Sequence, residues 1–285
     1  MNRSLSRMFW RWLPKKKISR WAGAFAKHPA SRHLIPWYIK HFDIDLTPVK
    51  RPVHEFENLL EFFIRELHPE TRPIDPNEDV VVSPVDGTIS QIGSIQNGTL
   101  IQAKGVTYSV EQLLGRDQEY AGKFTGGKFV TIYLSPRDYH RIHMPVSGTV
   151  EELTYIPGDL YPVNETGVKL IPGLFARNER VISYIQTRHG HLALVKVGAT
   201  NVGSIKVVFD ENVATNPQVS KMLEHKQYKD AVVLEKGEEL GRFEFGSTVI
   251  LLFERNQIEW TIDAVPGTKV QMGQSLARFL TAEGE

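Results

Sequence analysis

Cysteine is absent from this 285-residue sequence, which excludes a disulfide framework and a thiolate metal site. The longest apolar runs fall far short of the roughly 20 residues that a membrane-spanning helix needs. Near the N-terminus, Arg7, Arg11 and Lys15–Lys17 interrupt the apolar core that a secretory signal would require. The remaining composition, with 41% hydrophobic residues, is sufficient for one large domain or two small ones.

Acidic residues are also missing from the first 42 positions, which hold ten Lys or Arg and four of the five Trp. Apolar residues recur there at helical spacing and predict helices over 5–13, 18–26 and 31–42. Basic faces opposite Trp- and Phe-bearing faces are typical of helices that lie on an anionic membrane. We therefore predict a basic amphipathic membrane-association region over residues 1–50. The alternative, a helical unit packed on the rest of the protein, stays open.

From Val80 onwards the sequence changes to short β-rich runs separated by Gly, Asn and Pro, which predict strands. These strands are 80–82, 88–92, 99–103, 128–134, 149–156, 181–185, 192–198, 203–209, 248–253 and 258–263. Helical spacing predicts one helix over 56–67, and the box Ser109-Val-Glu-Gln112 predicts the start of another.

A weak internal repeat relates Pro84–Ile89 to Pro145–Val150. Both phrases are similar to the turns of lipoyl- and biotinyl-like barrel sandwiches, but without the tip Lys that would carry either group. The predicted fold class is α+β. It consists of N-terminal amphipathic membrane-binding helices followed by a mainly antiparallel β domain resembling a barrel-sandwich hybrid.

The triplet Gly246-Ser247-Thr248, flanked by apolar strand-like residues, is a candidate site of backbone cleavage. Glycine permits a strained peptide geometry, and the serine hydroxyl can reach the carbonyl that precedes it. A hydroxyl nucleophile needs a base and the base needs an orienter, which His143 and Asp86 can supply. Alone, Asp86 and Ser247 are more often turn residues, and His143 is more often a hydrogen-bonded core histidine. The three together indicate nucleophilic chemistry.

These segments resemble the phosphatidylserine decarboxylase family, whose proenzymes make their own pyruvoyl group. In that family Leu-Gly-Ser-Thr lies near the C-terminus, Asp-Gly lies upstream, and His-x-x-His-Met-Pro lies between them; here Phe245 replaces the Leu. The resemblance runs from the basic N-terminus to about Leu280. It also includes Tyr133-Leu-Ser-Pro-Arg-Asp-Tyr-His140, Tyr155-Ile-Pro-Gly-Asp-Leu160, Phe175-Ala-Arg-Asn-Glu-Arg180 and Val197-Gly-Ala-Thr-Asn-Val-Gly-Ser204.

The resemblance implies that the chain cuts itself between Gly246 and Ser247. Asp86, His143 and Ser247 would form the self-cleavage triad, and Ser247 would become a covalent pyruvoyl group, with no metal and no pyridoxal phosphate. The catalytic domain, 51–285, would be divided by the cut, which yields a beta chain of residues 1–246 and an alpha chain of residues 247–285.

The implied reaction converts phosphatidylserine to phosphatidylethanolamine and CO2 through a Schiff base between the pyruvoyl group and the substrate amine. His140 would bind substrate or donate a proton. The implied location is the cytoplasmic face of the cell membrane, with peripheral attachment to its anionic surface. Alpha and beta chains would stay together and form a homo-oligomer. No nucleic-acid partner is expected, because nothing downstream resembles a nucleic-acid module.

Two other functions stay open on the residues alone. A serine hydrolase using Asp86, His143 and Ser247 is the enzyme alternative, although the sequence lacks the Gly-x-Ser-x-Gly elbow. A membrane-bound barrel-sandwich adaptor is the non-enzyme alternative, and it would stay an uncleaved polypeptide. A metal pair at His140 and His143 is weaker, because no third ligand lies nearby in the sequence.

Overall fold

The computed structural model describes residues 15–103, 106–200, 204–213, 215 and 222–280, and its N-terminal part is helical. The elements there are α1 (Lys15–Lys27), α2 (Ile35–Phe42) and α3 (Leu59–Phe63), with 3-10 turns at Pro29–Leu34, Val53–Glu55 and Pro69–Thr71. The helix over 18–26 is confirmed. The one over 31–42 is helical throughout but starts as a 3-10 turn, and the one over 5–13 lies outside the described residues.

The predicted helix over 56–67 is wrong in extent, because only α3 is helical there. Beyond α3 the chain pairs with an earlier segment. The Lys50 amide donates to the Glu66 carbonyl at 3.0 Å, and the His68 amide donates to the Pro48 carbonyl at 2.8 Å. Together with the antiparallel bridge between Val49 and Leu67, these bonds hold the chain in an extended pairing that a helix cannot make.

The helical unit formed by α1–α3 packs on the β domain. Its core holds the buried side chains of Ala26, Ile35, Tyr38, Ile44, Phe56, Leu59, Leu60, Phe62 and Phe63. The Tyr38 hydroxyl donates to the Pro136 carbonyl at 3.0 Å, and Lys27 Nζ lies 3.0 Å from Glu244 Oε2. The alternative interpretation of this region, packing on the rest of the protein, therefore holds for one of its faces.

The other face of the helical unit leaves large aromatic side chains in solvent. Trp21 is 81% exposed, Phe25 50% and Trp37 57%. Within the described ranges, no helix is both long and apolar enough to cross a membrane. One unit thus combines a packed face with an exposed apolar one.

An eight-stranded antiparallel sheet organises the β domain. In spatial order its strands are β11 (Glu224–Leu234), β7 (Gly148–Ile156), β8 (Arg180–Thr187), β9 (Gly190–Val197), β13 (Ser247–Phe253), β5 (Lys128–Leu134), β2 (Gly87–Ser94) and β15 (Lys269–Val270). Strand β13 pairs with β5, where Ser247 is opposite Leu134, and with β9, where Thr248 is opposite Val197. Every residue of β13 is buried, since both faces of the sheet are covered.

Two three-stranded sheets cover one face of the large sheet. They consist of β1 (Val80–Val82), β16 (Ser275–Phe279) and β14 (Ile258–Trp260), and of β10 (Ile205–Val207), β12 (Glu239–Phe243) and β6 (Arg141–His143). Their apolar side chains, including Val81, Ile142 and Phe279, form one core with Val249 and Leu251 of β13.

Helices and a hairpin cover the opposite face. They are the hairpin β3 (Thr99–Ala103) and β4 (Val106–Ser109), and the helices α4 (Val110–Leu114), α5 (Gln118–Gly122), α6 (Glu165–Leu170) and α7 (Leu174–Arg177). Helix α4 begins as predicted, because the Ser109 hydroxyl accepts a hydrogen bond from the Gln112 amide at 3.0 Å.

The prediction of a mainly antiparallel α+β protein with N-terminal helices is confirmed. Among the strands in the described part of the chain, the sheets do not close into a barrel, and the barrel-sandwich likeness is not confirmed. All ten predicted strand regions contain strand, whereas β4, β6, β11, β12, β15 and β16 were not predicted.

Candidate active site

Ser247 is the first residue of the central strand β13 and is fully buried. Its hydroxyl has no hydrogen-bond partner, and neither has the buried hydroxyl of the next residue, Thr248. A buried polar group without a partner costs roughly 1–3 kcal/mol, and such groups are rare in folded proteins. Burial of the Ser247 hydroxyl is therefore energetically unfavourable, because its oxygen accepts no hydrogen bond from a described residue.

Backbone strain lies immediately before the candidate cleavage site. Phe245 has φ of 98°, in the region that favours glycine, whereas Gly246 itself does not have a positive φ. A bulky residue there is a genuine outlier and costs about 1–3 kcal/mol. The strain that a positive φ imposes thus lies at Phe245, one residue before Gly246. An added Cβ on Gly246 would meet only the Leu134 carbonyl oxygen, at an ordinary 3.7 Å.

His140 is a fully buried, neutral imidazole. Its ring stacks on Phe63 with centroids 3.9 Å apart, and its Nε2 lies 3.1 Å from the Ser135 carbonyl oxygen. Burial, with a contribution from the Arg65 charge, lowers the pKa of His140 to about 3. Because Nε2–H donates to Ser135, Nδ1 carries the lone pair, and that buried atom has no partner.

Both ring nitrogens of His143, on β6, are occupied. Nδ1–H donates to the Gly237 carbonyl at 2.8 Å, so Nε2 accepts a hydrogen bond from the Tyr139 hydroxyl at 2.9 Å. The two rings also stack, 5.6 Å apart. Burial lowers the pKa of His143, while the Gly237 carbonyl and the charges of Glu239 and Asp86 oppose that shift and the Arg141 charge adds to it.

Asp86 is buried, and two other residues take up its carboxylate. The Arg72 guanidinium donates to it from Nε at 2.9 and 3.1 Å and from Nη2 at 2.5 Å. The Met272 amide donates to Oδ1 at 2.8 Å. Among the described residues, Asp86 therefore makes no hydrogen bond to His143, and His143 makes none to Ser247.

Arg72 and Tyr139 are the residues here that were not predicted. Tyr139 lies within the segment that carries the two histidines, so its position in the sequence was a signal. Arg72 lies 14 residues from Asp86 in a Pro-rich stretch, and nothing local marks it. The loop before His140 is fixed by another arginine, because Arg65 Nη2 donates to the Arg137 carbonyl at 2.8 Å.

A mostly apolar cavity of about 540 Å³ is lined by residues of both the helical unit and the β domain. Its walls are formed by Ala22, Phe25, Ala26, Leu34, Trp37, Tyr38, Phe42, Leu59, Phe63, Tyr133, Pro136, Pro162, Val163, Asn164, Ala199, Thr200, Phe245 and Gly246. A more polar cavity of about 610 Å³ is lined in part by Arg65, Arg72, Asp86, Tyr139 and Lys269. The candidate scissile bond thus borders the first cavity, and Asp86 borders the second.

The described residues contain no group of three or more His, Asp or Glu side chains arranged to hold a metal ion. His140 and His143 also direct nitrogens to other partners, namely the carbonyls of Ser135 and Gly237 and the hydroxyl of Tyr139.

Comparison with known proteins identifies the family. A family model described as phosphatidylserine decarboxylase matches residues 59–278. The chain belongs to the phosphatidylserine decarboxylase family. A phosphatidylserine decarboxylase proenzyme from Brevibacillus brevis is 52% identical over 266 residues, covering 93% of this chain and 94% of the relative. Proenzymes of the same name are 45% identical in Shewanella frigidimarina, covering 94% and 95%, and 44% identical in Shewanella amazonensis, covering 94% and 96%.

Membership of the phosphatidylserine decarboxylase family confirms the resemblance seen in the sequence motifs. It also confirms the prediction of a decarboxylase over the serine hydrolase and the adaptor. The roles of the individual site residues stay predictions, because the comparisons name the proteins and not their residues.

We expect Tyr139→Phe to raise the pKa of His143. The Tyr139 hydroxyl donates a hydrogen bond to the neutral His143 ring, and the protonated ring cannot accept that bond. Loss of the hydroxyl therefore removes an interaction that favours the neutral form. A net hydrogen bond of about 1 kcal/mol corresponds to a shift of roughly half a unit to one unit. Titration of the ¹³C-labelled histidine by NMR measures it. Tyr120→Phe is the control, since the Tyr120 hydroxyl contacts neither histidine, and an unchanged or lowered pKa in Tyr139→Phe would contradict the assignment.

Proposed function

We propose that this chain is the precursor of a pyruvoyl-dependent decarboxylase that cleaves itself between Gly246 and Ser247 and then acts on phosphatidylserine. One observation carries the proposal: the Ser247 hydroxyl is buried without a partner, directly after the strained Phe245, in a family whose relatives are named proenzymes. Both features are costly in a folded protein, and both lie beside the same peptide bond.

Cleavage begins when Ser247 Oγ attacks the Gly246 carbonyl carbon. The new C–O bond replaces the peptide C–N bond, so the amide becomes an ester and the amino group of residue 247 is freed. Loss of the Cα proton of residue 247 then breaks its Cβ–Oγ bond, and Gly246 leaves as a carboxylate. The dehydroalanine at 247 takes up water and loses ammonia, which leaves the ketone of the pyruvoyl group. The products are residues 1–246 and 247–285.

His143 is the base that takes the Ser247 proton. Because Tyr139 donates to Nε2, His143 acts after that hydroxyl turns away from the ring. Asp86 stabilises the resulting imidazolium through its charge. The hydrogen bonds from the Arg72 guanidinium and from the Met272 amide hold the Asp86 carboxylate in place.

The surroundings of Ser247 fit a covalent pyruvoyl group, because the Ser247 oxygen forms no hydrogen bond that conversion would break. Such a group supplies a ketone that takes the substrate amine and accepts the electron pair freed when CO2 leaves. His140 is the residue that moves a proton, since its neutral Nδ1 has no other partner.

The apolar cavity binds the lipid substrate beside the cleavage site. Gly246 and Phe245 lie in its wall, and Asn164 and Thr200 are polar groups that can hold a headgroup. An apolar lining favours the loss of carboxylate charge that accompanies decarboxylation, because a buried charge is costly.

The exposed face of the helical unit binds the membrane. Trp21, Phe25 and Trp37 insert at the interface, and basic residues among the first 42 attract anionic headgroups. The protein is a peripheral protein of the cytoplasmic face of the cell membrane.

The two chains stay paired after cleavage, because β13 of the short chain lies between β5 and β9 of the long chain. A homo-oligomer of this pair stays a prediction.

Intact-mass analysis of the purified protein tests self-cleavage. We expect a 246-residue piece and a 39-residue piece without an N-terminal amine. Ser247→Ala, Asp86→Ala and His143→Ala should leave one uncut chain, whereas His140→Ala should cut normally and decarboxylate phosphatidylserine poorly. Ser94→Ala, at an exposed position, is the control. An active wild-type enzyme made of a single 285-residue chain would refute the proposal, and normal cleavage in Asp86→Ala or His143→Ala would remove that residue from the triad.

Sedimentation with anionic vesicles tests the membrane face. Trp21→Ala and Trp37→Ala should each weaken binding roughly tenfold, because each removes an interfacial aromatic side chain. Binding should fall as salt rises, since the basic residues act through screened attraction. Trp260→Phe, on β14, is the matched control. Binding that ignores both tryptophans, lipid charge and salt would contradict the assignment.

A further inference from the structure

The segment before the cleavage site is held by the helical unit. Lys27, in the last turn of α1, places Nζ 3.0 Å from Glu244 Oε2. The Glu244 side chain is 7% exposed and that of Lys27 is 55% exposed. The Glu244 amide donates to the Ser204 carbonyl at 2.8 Å. Glu244 is therefore held by a backbone hydrogen bond and by an ion pair with a distant helix, although its buried Oε2 makes no hydrogen bond to the described residues.

The next residue is held by the same unit. The Phe245 ring lies 4.7 Å from the ring of Phe63, on α3, with an interplanar angle of 35°. The Phe63 ring in turn stacks on His140. Phe63 is buried, so its own position is set by the core of the helical unit. The three rings form a column that connects this core to the candidate active site.

A positive φ at a phenylalanine persists only where the surroundings impose it. The contacts that α1 and α3 make with Glu244 and Phe245 are suited to that task, because they fix the two side chains next to the strained backbone. The following residue, Gly246, has no side chain with which it can be held. The orientation of its peptide bond to Ser247 is therefore set by the residues before it and by β13 after it.

We propose that Lys27 and Phe63 are positioning residues for self-cleavage: they hold Glu244 and Phe245 so that Phe245 keeps its left-handed conformation and orients the Gly246–Ser247 peptide for attack. This inference rests on the proposed function. Cleavage frees Gly246 from β13 and lets Phe245 relax, so the strain favours the cut state. The helical unit thus serves both the membrane and the processing step.

This assignment also changes what removal of the N-terminal helices would do. If membrane binding and cleavage depended on separate parts of the chain, loss of residues 1–42 would weaken membrane attachment and leave cleavage unchanged. The ion pair between Lys27 and Glu244 connects those parts directly. Slower cleavage is therefore expected whenever α1 is displaced, even in the absence of lipid.

A comparison of Phe245→Ala with Phe245→Gly tests the left-handed conformation. Both variants lack the ring that Phe63 holds, but only glycine adopts a positive φ without strain. We expect the glycine variant to melt a few degrees higher than the alanine variant and to cleave several-fold faster, because it still takes up the conformation that orients the Gly246–Ser247 peptide. The rate is that of the appearance of the 39-residue piece in freshly synthesised precursor. Cleavage in the alanine variant as fast as in the glycine variant would overturn the role of this conformation.

Charge exchange tests the ion pair. Lys27→Glu and Glu244→Lys should each slow cleavage several-fold, and the double variant should recover most of the rate. Lys40→Glu, an exposed lysine of the same helical unit, is the control. If the ion pair has only a structural role, the variants should have altered melting temperatures but unchanged cleavage rates at temperatures below thermal unfolding. That result would overturn the inference, and so would a double variant that does not recover the cleavage rate. If the wild type itself stays uncut, the proposed function fails; if the wild type and all variants cut at one rate, this inference alone fails.

Discussion

The position of β13 between β5 and β9 is the constraint on which the rest of the structure depends. The strand is paired on both sides and covered on both faces, so its first residue cannot move without disturbing the centre of the sheet. That residue is Ser247, the proposed nucleophile. The peptide bond before it leaves the sheet and enters a segment held by the helical unit. A cut at that boundary separates the chain without removing a strand from the core.

The site concentrates energetic costs that a merely structural region would avoid. The hydroxyl of Ser247 and Nδ1 of His140 are both buried without partners, and Phe245 has a strained backbone. Burial also keeps His140 neutral, because an imidazolium without a counterion would be poorly solvated there. The two hydrophobic cores on either face of the large sheet supply the stability that tolerates these groups. Packing elsewhere thus allows the unpaired hydroxyl of Ser247 to persist.

Local sequence patterns predicted the buried strands of the large sheet well. The apolar runs that form β5 and β13 were located to within one residue, since buried strands in a sheet read as apolar runs. Strand β11 was missed, because it is an edge strand whose polar side chains face solvent and give no such run. The helix over 56–67 was overestimated, since its spacing is helical but its last two residues pair with residues 49 and 50.

Family membership supports the chemistry that the motif residues imply, while the roles of the individual residues stay predictions. Their geometry was not predictable, because it depends on contacts between distant segments. The Arg72 guanidinium and the Met272 amide donate hydrogen bonds to the Asp86 carboxylate, and the Tyr139 hydroxyl donates one to His143. The link between Lys27 and Glu244 spans most of the chain, and no local pattern contains it.

The central claim is that residue 247 ends as a ketone at the start of the short chain. Treatment of the purified protein with an alkoxyamine, followed by denaturing mass spectrometry, measures this directly. The account predicts that one reagent molecule adds, with loss of water, to the piece 247–285 and not to the piece 1–246, and that Ser247→Ala takes up none. A short chain that begins with an unmodified serine, or that fails to react with the reagent, would contradict it.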